Sequence, residues 1–195
     1  MNERQMTPEE VAQQLKQLVA LLRANGRNDL LLNAIGASVL EELRIEAARR
    51  QLSRLLITKD YRFILIDDNH KEIDLTPVHK AVYLLFLNHP EGIEFKKLSE
   101  YRDELLHYYM ATARLMDKQA IEKSVDMLVN PFNNSINEKC SRIKNVFLSM
   151  MDQYRANYYI VSSHHKKHIA GSSRVWYERL KVITLPRELV ISEYR

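Results

Sequence analysis

The sequence predicts an α+β fold that is mainly helical, with β-hairpins on both sides of a helical core. Only four glycines and five prolines occur among 195 residues, and this scarcity favours helices over a strand-rich sandwich. Several segments repeat apolar residues at steps of three and four, which is the period of an amphipathic helix. Two other segments concentrate β-branched and aromatic residues, which indicates strands. Apolar residues make up 46% of the chain, enough to bury a core.

Residues 1–53 are predicted to form a helical hairpin. Thr7 and Glu10 have the spacing of a capping box, and Pro8 suits the first helical position. This helix ends near Gly26, and a second helix is expected over residues 28–52. The two helices carry apolar stripes that consist of Val11, Leu15, Leu18, Val19 and Leu22 in the first and Leu32, Ile35, Val39, Leu43 and Ala47 in the second. The stripes fit either packing on the rest of the chain or a homodimer through the same hairpin of a second chain.

Residues 54–195 are predicted to form the second domain, which begins with a β-hairpin. Strands are expected within residues 55–66 and 72–75, on either side of a turn cluster of Asp and Asn at 67–70. Thr76 and Pro77 then start a third helix in the same way as Thr7 and Pro8. This helix is apolar on most sides, so we expect it at the centre of the core.

Further helices and a second hairpin complete the second domain. Helices are expected from about Phe95, over residues 117–129, and over residues 134–150, where Asn134 or Ser135 is the N-cap. Strands are then expected at 158–161 and 182–185, paired antiparallel. The segment between these strands is long for a hairpin loop, and long loops are often functional.

The helix at 134–150 has two contrasting faces. Its apolar stripe consists of Ile136, Cys140, Ile143, Phe147 and Met150. The other side carries polar and basic side chains of the types that reach phosphates and base edges in nucleic acids. Residues 134–181 hold nine basic and three acidic side chains, a net charge of +6 within a chain whose total is +4. A basic block of this kind indicates a polyanion as the partner.

Two segments resemble the winged-helix effector domain of OmpR-type response regulators. Residues 71–93 are similar to that family's leucine-threonine, core-helix and turn segment, and residues 137–147 are similar to its recognition helix. The resemblance implies a winged helix-turn-helix core that binds double-stranded DNA and regulates transcription, with the recognition helix (about 134–150) in the major groove and a basic wing (about 162–180) at the minor groove. The residues expected to contact DNA are Asn137, Lys139, Ser141, Arg142, Lys144, Asn145, Lys166, Lys167 and Arg174.

The sequence also departs from that family. Residues 1–53 are too few for a receiver domain, so control by phosphorylation is not expected. About one and a half helices are inserted between Tyr101 and Asn134, and the wing lacks a glycine-rich turn. A non-enzymatic protein-interaction adaptor built on the same fold is therefore the alternative function, with the N-terminal hairpin as its working surface.

Enzymatic and metal-binding functions have little support in the sequence. There is no glycine-rich phosphate loop or nucleophile elbow, and the single cysteine, Cys140, lies on an apolar stripe. His164, His165 and His168 stand among lysines and serines, so we expect a polar wing rather than a zinc site. No cofactor is expected. The chain shows no signal peptide or membrane span, which predicts a cytoplasmic protein.

Overall fold

The computed structural model describes residues 6–169 and 175–194 and shows an α+β, mainly helical protein. The chain divides into two compact units, residues 1–50 and residues 51–195. The first unit consists of α1 (Pro8–Ala24), α2 (Asn28–Ile35) and α3 (Ala37–Gln51), whose last residue passes into the second unit. None of the described helices is long and apolar enough to cross a membrane.

The elements of the second unit alternate between short strands and helices. In chain order they are β1 (Leu55–Ile57), β2 (Phe63–Leu65), β3 (Lys71–Ile73), α4 (Pro77–Asn88), a 3-10 helix (Phe95–Tyr101), α5 (Arg102–Thr112), α6 (Lys118–Val129), α7 (Ser135–Met150), α8 (Gln153–Tyr159), β4 (Ser162–Ile169), β5 (Val175–Val182), a second 3-10 helix (Arg187–Leu189) and β6 (Val190–Ser192).

The predicted capping box of α1 is confirmed, but the predicted second helix is not continuous. The Thr7 amide donates to Glu10 Oε2 at 2.9 Å, and the Glu10 amide donates to Thr7 Oγ1 at 3.3 Å. Gly36 divides the predicted helix 28–52 into α2 and α3, because its backbone has a φ of 79°. Glycine adopts this left-handed region without steric cost, so the chain turns there. The expected hairpin is therefore a three-helix segment.

The strands near residue 60 form a larger sheet than the expected hairpin. The strand order is β3-β2-β1-β6, with β1–β2 and β2–β3 antiparallel and β1–β6 parallel. The predicted turn at 67–70 joins β2 to β3. A second turn divides the segment expected as one strand, where the Tyr61 amide donates to the Thr58 carbonyl at 2.9 Å. The pairing of β1 with β6 brings the two ends of the second unit together.

A row of aromatic rings connects this sheet to three helices. Phe63 of β2 meets Tyr83 of α4 edge to face, with centroids 5.5 Å apart. Tyr83 and Tyr159 each stack on Phe147 of α7, at 5.6 Å and 5.5 Å. All four side chains are fully buried. The sequence prediction that α4 starts at Pro77 and lies at the centre of the core is therefore confirmed.

Candidate nucleic-acid interface

Helix α7 is anchored to the core by one side only, as its apolar stripe predicts. Ile136, Ile143 and Phe147 are buried, whereas Cys140 and Met150 are only partly covered. The stacking of Phe147 between Tyr83 and Tyr159 holds the C-terminal part of the helix against α4 and α8. The rotation of α7 about its own axis is thereby set, and this rotation decides which side chains face solvent.

The opposite side of α7 brings six of the predicted DNA-contacting residues together. Asn137, Ser141, Arg142, Lys144 and Asn145 are exposed, and Lys139 is half-buried. Within the part of the chain that the structure describes, Asn137 alone among these six has a side-chain hydrogen bond, since its amide donates to Asn134 Oδ1 at 3.0 Å. This polar surface carries three cations and also the exposed carboxylate of Glu138.

The cations of α7 differ in their pairing from four arginines elsewhere in the second unit. Arg54 pairs with Asp67 at 2.7 Å, Arg102 pairs with Asp126 at 2.7 Å, and comparable ion pairs join Arg62 to Glu72 and Arg155 to Asp68. Among the side chains that the structure describes, no carboxylate forms an ion pair with the three cations of α7, which are Lys139, Arg142 and Lys144. These charges are therefore available to an anionic partner.

The first turn of α4 lies close to the basic side of α7. His79 is buried, and its Nδ1 lies 2.6 Å from the hydroxyl of Thr76, the N-cap residue of α4. Burial, and then the charges of Lys139 and Arg142, lower the pKa of His79. Burial and the two cations therefore disfavour a protonated His79.

The segment predicted to be a wing contains a two-stranded antiparallel ribbon, which corrects the predicted strands and loop. The expected strand at 158–161 was wrong, because Tyr158 and Tyr159 end helix α8. The strands β4 and β5 instead occupy most of the segment that was expected to be a loop. Lys166 and Lys167 take consecutive backbone positions in β4, opposite Glu178 and Tyr177 of β5. Arg174 lies outside the described residues.

The base of the ribbon is fixed beside α7. Ile93 and Lys181 exchange two backbone hydrogen bonds of 2.9 Å, so the turn after α4 pairs with the end of β5. The Lys181 ammonium lies 4.9 Å from the ring centroid of Phe95, and burial lowers the pKa of this lysine. Lys181 also interacts electrostatically with Cys140 of α7. Burial of the Cys140 thiol raises its pKa to about 12. At neutral pH Cys140 is therefore a neutral thiol, as its place on the stripe suggests.

Sequence reasoning missed several side chains around the site. A shallow cavity at the N-terminal end of α7 is lined by Phe95, Lys96, Asn133 and Asn137, among others. Arg179 is exposed and borders an adjoining depression that shares Phe95 and Lys96. The sequence around Lys96 did not indicate a place in the site, because that place depends on how the 3-10 helix packs near α6 and α7. Arg179 belongs to the basic block at 134–181, but it was not among the residues predicted to contact DNA.

Among the described residues, no group of three or more His, Cys, Asp or Glu side chains could hold a metal ion. Comparisons of the chain with protein-family models, curated proteins and solved structures found no match. Function is therefore inferred from the residues of the site itself.

Proposed function

We propose that the protein is a transcriptional regulator that binds duplex DNA through α7 and the β4–β5 ribbon. The observation that carries this proposal is the set of three cations on α7, for which the structure describes no ion-pair partner. The same helix also exposes Asn137, Ser141 and Asn145. Cations of this kind neutralise phosphates and release counterions, which supplies most of the affinity for DNA. Amide and hydroxyl side chains beside them read base edges in the major groove.

The arrangement of elements supports a winged-helix interpretation of this surface. Helices α4 to α8 precede an antiparallel ribbon, and the ribbon base pairs with the turn after α4 through Ile93 and Lys181. A helix in the major groove with a neighbouring ribbon at the phosphates or the minor groove is a known docking geometry. In this interpretation α6, the turn at 130–134 and α7 form the helix-turn-helix, and Lys139, Lys166, Lys167 and Arg174 contact phosphates.

The second candidate function is a protein-interaction adaptor. It is favoured by the exposed apolar side chains of α1, which include Leu15 and Leu18 at 54% and 53% exposure. In an adaptor, the basic face of α7 binds an acidic protein instead of DNA. The two functions differ in their dependence on salt and on duplex structure.

The test is fluorescence anisotropy with labelled duplex DNA at several salt concentrations. The variants are Arg142→Ala/Lys144→Ala and a matched control, Lys59→Ala/Lys71→Ala, which removes two exposed lysines beside the sheet. For the wild type and the control, we expect the logarithm of the binding constant to fall linearly with the logarithm of the salt concentration. The slope of the α7 variant should be shallower by about 1 for each lost phosphate contact.

Two results contradict the proposal. The first is an absence of DNA binding at low salt by a wild-type protein that is folded by circular dichroism. The second is an equal loss of DNA affinity in the α7 variant and the control variant. Arg142 and Lys144 would then contribute no more to DNA binding than two lysines elsewhere on the surface. The first result leaves the adaptor as the remaining candidate.

A further inference from the structure

The helices of the first unit bury almost nothing of their own. No residue of α1 or α2 is buried, and every described apolar side chain of the core lies at Leu52 or later in the chain. The exposed large apolar side chains of this unit are Met6, Val11, Leu15, Leu18, Leu21, Leu30, Leu32, Val39 and Leu43. An amphipathic helix gains most of its stability when its apolar face packs on another element. Helix α1 therefore presents exposed apolar side chains that can pack on a partner.

The spacing of this face on α1 suits an identical helix that runs in the opposite direction. Val11, Leu15 and Leu18 are exposed and Leu22, on the same side of the helix, is half-buried. They are separated by steps of four, three and four, so the pattern reads the same from either end. In an antiparallel pair centred between residues 16 and 17, Leu15 of one copy lies at the level of Leu18 of the other. Val11 likewise lies at the level of Leu22. A two-fold symmetric interface requires this self-complementarity, and the steps of three and four are those of a helical seam.

The charges of α1 select the antiparallel direction. Its first turn is acidic, with Glu9 and Glu10, and its last turn is basic, with Arg23. A parallel pair places like charges at the same level, whereas an antiparallel pair places the acidic turn of each copy beside the basic turn of the other. The helix macrodipoles also oppose one another in the antiparallel pair. Residues 1–50 contain seven basic and seven acidic side chains, so no net charge opposes association.

We infer that α1 is a homodimerisation helix, which pairs antiparallel with α1 of a second copy of this chain through Val11, Leu15, Leu18 and Leu22. This inference does not depend on the DNA-binding proposal, since it concerns different residues and a different partner. If both hold, the dimer presents two copies of α7 to one duplex, as many readers of two-fold symmetric DNA sites do.

The experiment measures the mass of the full-length protein by sedimentation equilibrium over a wide range of concentrations. The variant Leu15→Asp/Leu18→Asp places four carboxylates in the dimer seam. The control Gln13→Asp/Ala20→Asp adds the same charges to exposed positions on the opposite side of α1. We expect dimers for the wild type and the control, and monomers for the seam variant. Circular dichroism and cooperative unfolding of all three proteins verify that residues 51–195 stay folded.

A cross-linking experiment tests the direction of the helices. Val11→Cys and Leu22→Cys are prepared separately with Cys140→Ser, which removes the only native cysteine. Antiparallel pairing predicts a disulfide between the two variants when they are mixed, and little cross-linking of either variant with itself. Self-linked dimers of each variant overturn the antiparallel arrangement. A monomeric wild type, or a seam variant that remains dimeric, overturns the whole inference. DNA binding by a monomer would leave the proposed function standing.

Discussion

The ring of Phe147 on α7 stacks on the ring of Tyr83 on α4, with 5.6 Å between centroids and 28° between ring planes. Both side chains are fully buried, and burial strongly raises the pKa of the Tyr83 hydroxyl, which therefore stays neutral. This contact fixes α7 to the central helix, and Tyr159 stacks on the other side of Phe147. These buried contacts therefore hold the basic face of α7 in a fixed orientation.

Replacing Phe147 should therefore be among the most destabilising single changes in the second unit. We expect Phe147→Ala to lower the free energy of unfolding by about 3–5 kcal/mol, because it leaves a cavity between two tyrosine rings. The measurement is urea unfolding followed by circular dichroism. Phe132→Ala is the control, since Phe132 is 97% exposed and its removal should change the free energy by less than about 0.5 kcal/mol. Equal effects of the two substitutions would contradict the structure around α7.

Gly92 should be required for the attachment of the ribbon. Its φ is 86°, and an added Cβ would lie 3.0 Å from Leu180 Cβ and 3.3 Å from the Lys181 carbonyl oxygen. Gly92→Ala therefore combines backbone strain of about 1–2 kcal/mol with a clash at the base of β5. We expect a lower melting temperature and faster hydrogen exchange at the Ile93 and Lys181 amides.

Gly26→Ala is the matched control for the Gly92 prediction. Gly26 has a φ of 68°, but a Cβ added there would have no atom within 4 Å, so the substitution tests backbone strain without a clash. The loss of stability should be smaller than for Gly92→Ala, and exchange at Ile93 and Lys181 should stay slow. A ribbon that remains protected in Gly92→Ala would show that the close approach to Leu180 is easily relieved.

The sequence predicts best where an element carries its own local signals. Pro77 starts α4, and the side chain of Asp117 caps α6 by accepting from the Ala120 amide at 2.9 Å. Helix α8 was missed, because Tyr158 and Tyr159 favour strands when they are considered alone. In the folded chain Asp152 caps this helix, and Tyr159 gains a stacking partner and a hydrogen bond to the Ser53 carbonyl. Tertiary contacts therefore override the local preference.

The candidate site likewise contains features that the local sequence predicts and features that depend on tertiary contacts. The exposed polar face of α7 follows from the spacing of its apolar stripe, so the positions of Asn137, Ser141 and Arg142 could be predicted. Two other contacts could not be predicted, because they join residues that are distant in sequence. These are the electrostatic interaction of His79 with Lys139 and the contact of Lys181 with the ring of Phe95. The ribbon was predicted as a loop, because a two-stranded ribbon need not show the apolar alternation of a strand that covers a core.

His89 should make the protein less stable as the pH rises above neutrality. Its ring nitrogens lie 2.7 Å from Glu91 and 2.8 Å from Glu104. Burial acts to lower the pKa of His89, but the hydrogen bonds and charges of the two glutamates outweigh burial and raise it. A raised pKa in the folded state gives stability that is complete below the unfolded value of about 6.5. This stability is lost as the pH rises through the pKa of the folded protein.

The measurement is the free energy of unfolding between about pH 6 and pH 9, a window set by the unfolded histidine value. We expect it to decline with pH in the wild type and to decline less in His89→Gln. His107→Gln is the control, since His107 is exposed. The lowered pKa of His79 has the opposite sign, because it makes stability rise with pH below about 6.5. An unchanged slope in His89→Gln would contradict the assigned ion pairs.

Neighbouring positions on α7 should affect DNA binding in different ways. Lys139 is a half-buried cation, whereas Asn137 is an exposed amide whose bond to Asn134 is easily exchanged for one to a base. We expect Lys139→Ala to weaken binding to all duplexes by a similar factor and to reduce the salt slope by about 1. Asn137→Ala should leave the slope unchanged and cost about 1–3 kcal/mol of discrimination at one base pair.

The measurement begins with selection of preferred duplexes from a random pool by the wild-type protein. Binding of each variant to the selected duplex and to every single-base change is then measured by anisotropy at two salt concentrations. Ser149→Ala, at the far end of α7, is the control and should alter neither quantity, because its hydroxyl donates to the Val146 carbonyl at 2.7 Å. If Asn137→Ala instead lowers affinity equally for all duplexes, Asn137 acts only on the phosphate backbone, and base recognition by this part of α7 must be abandoned.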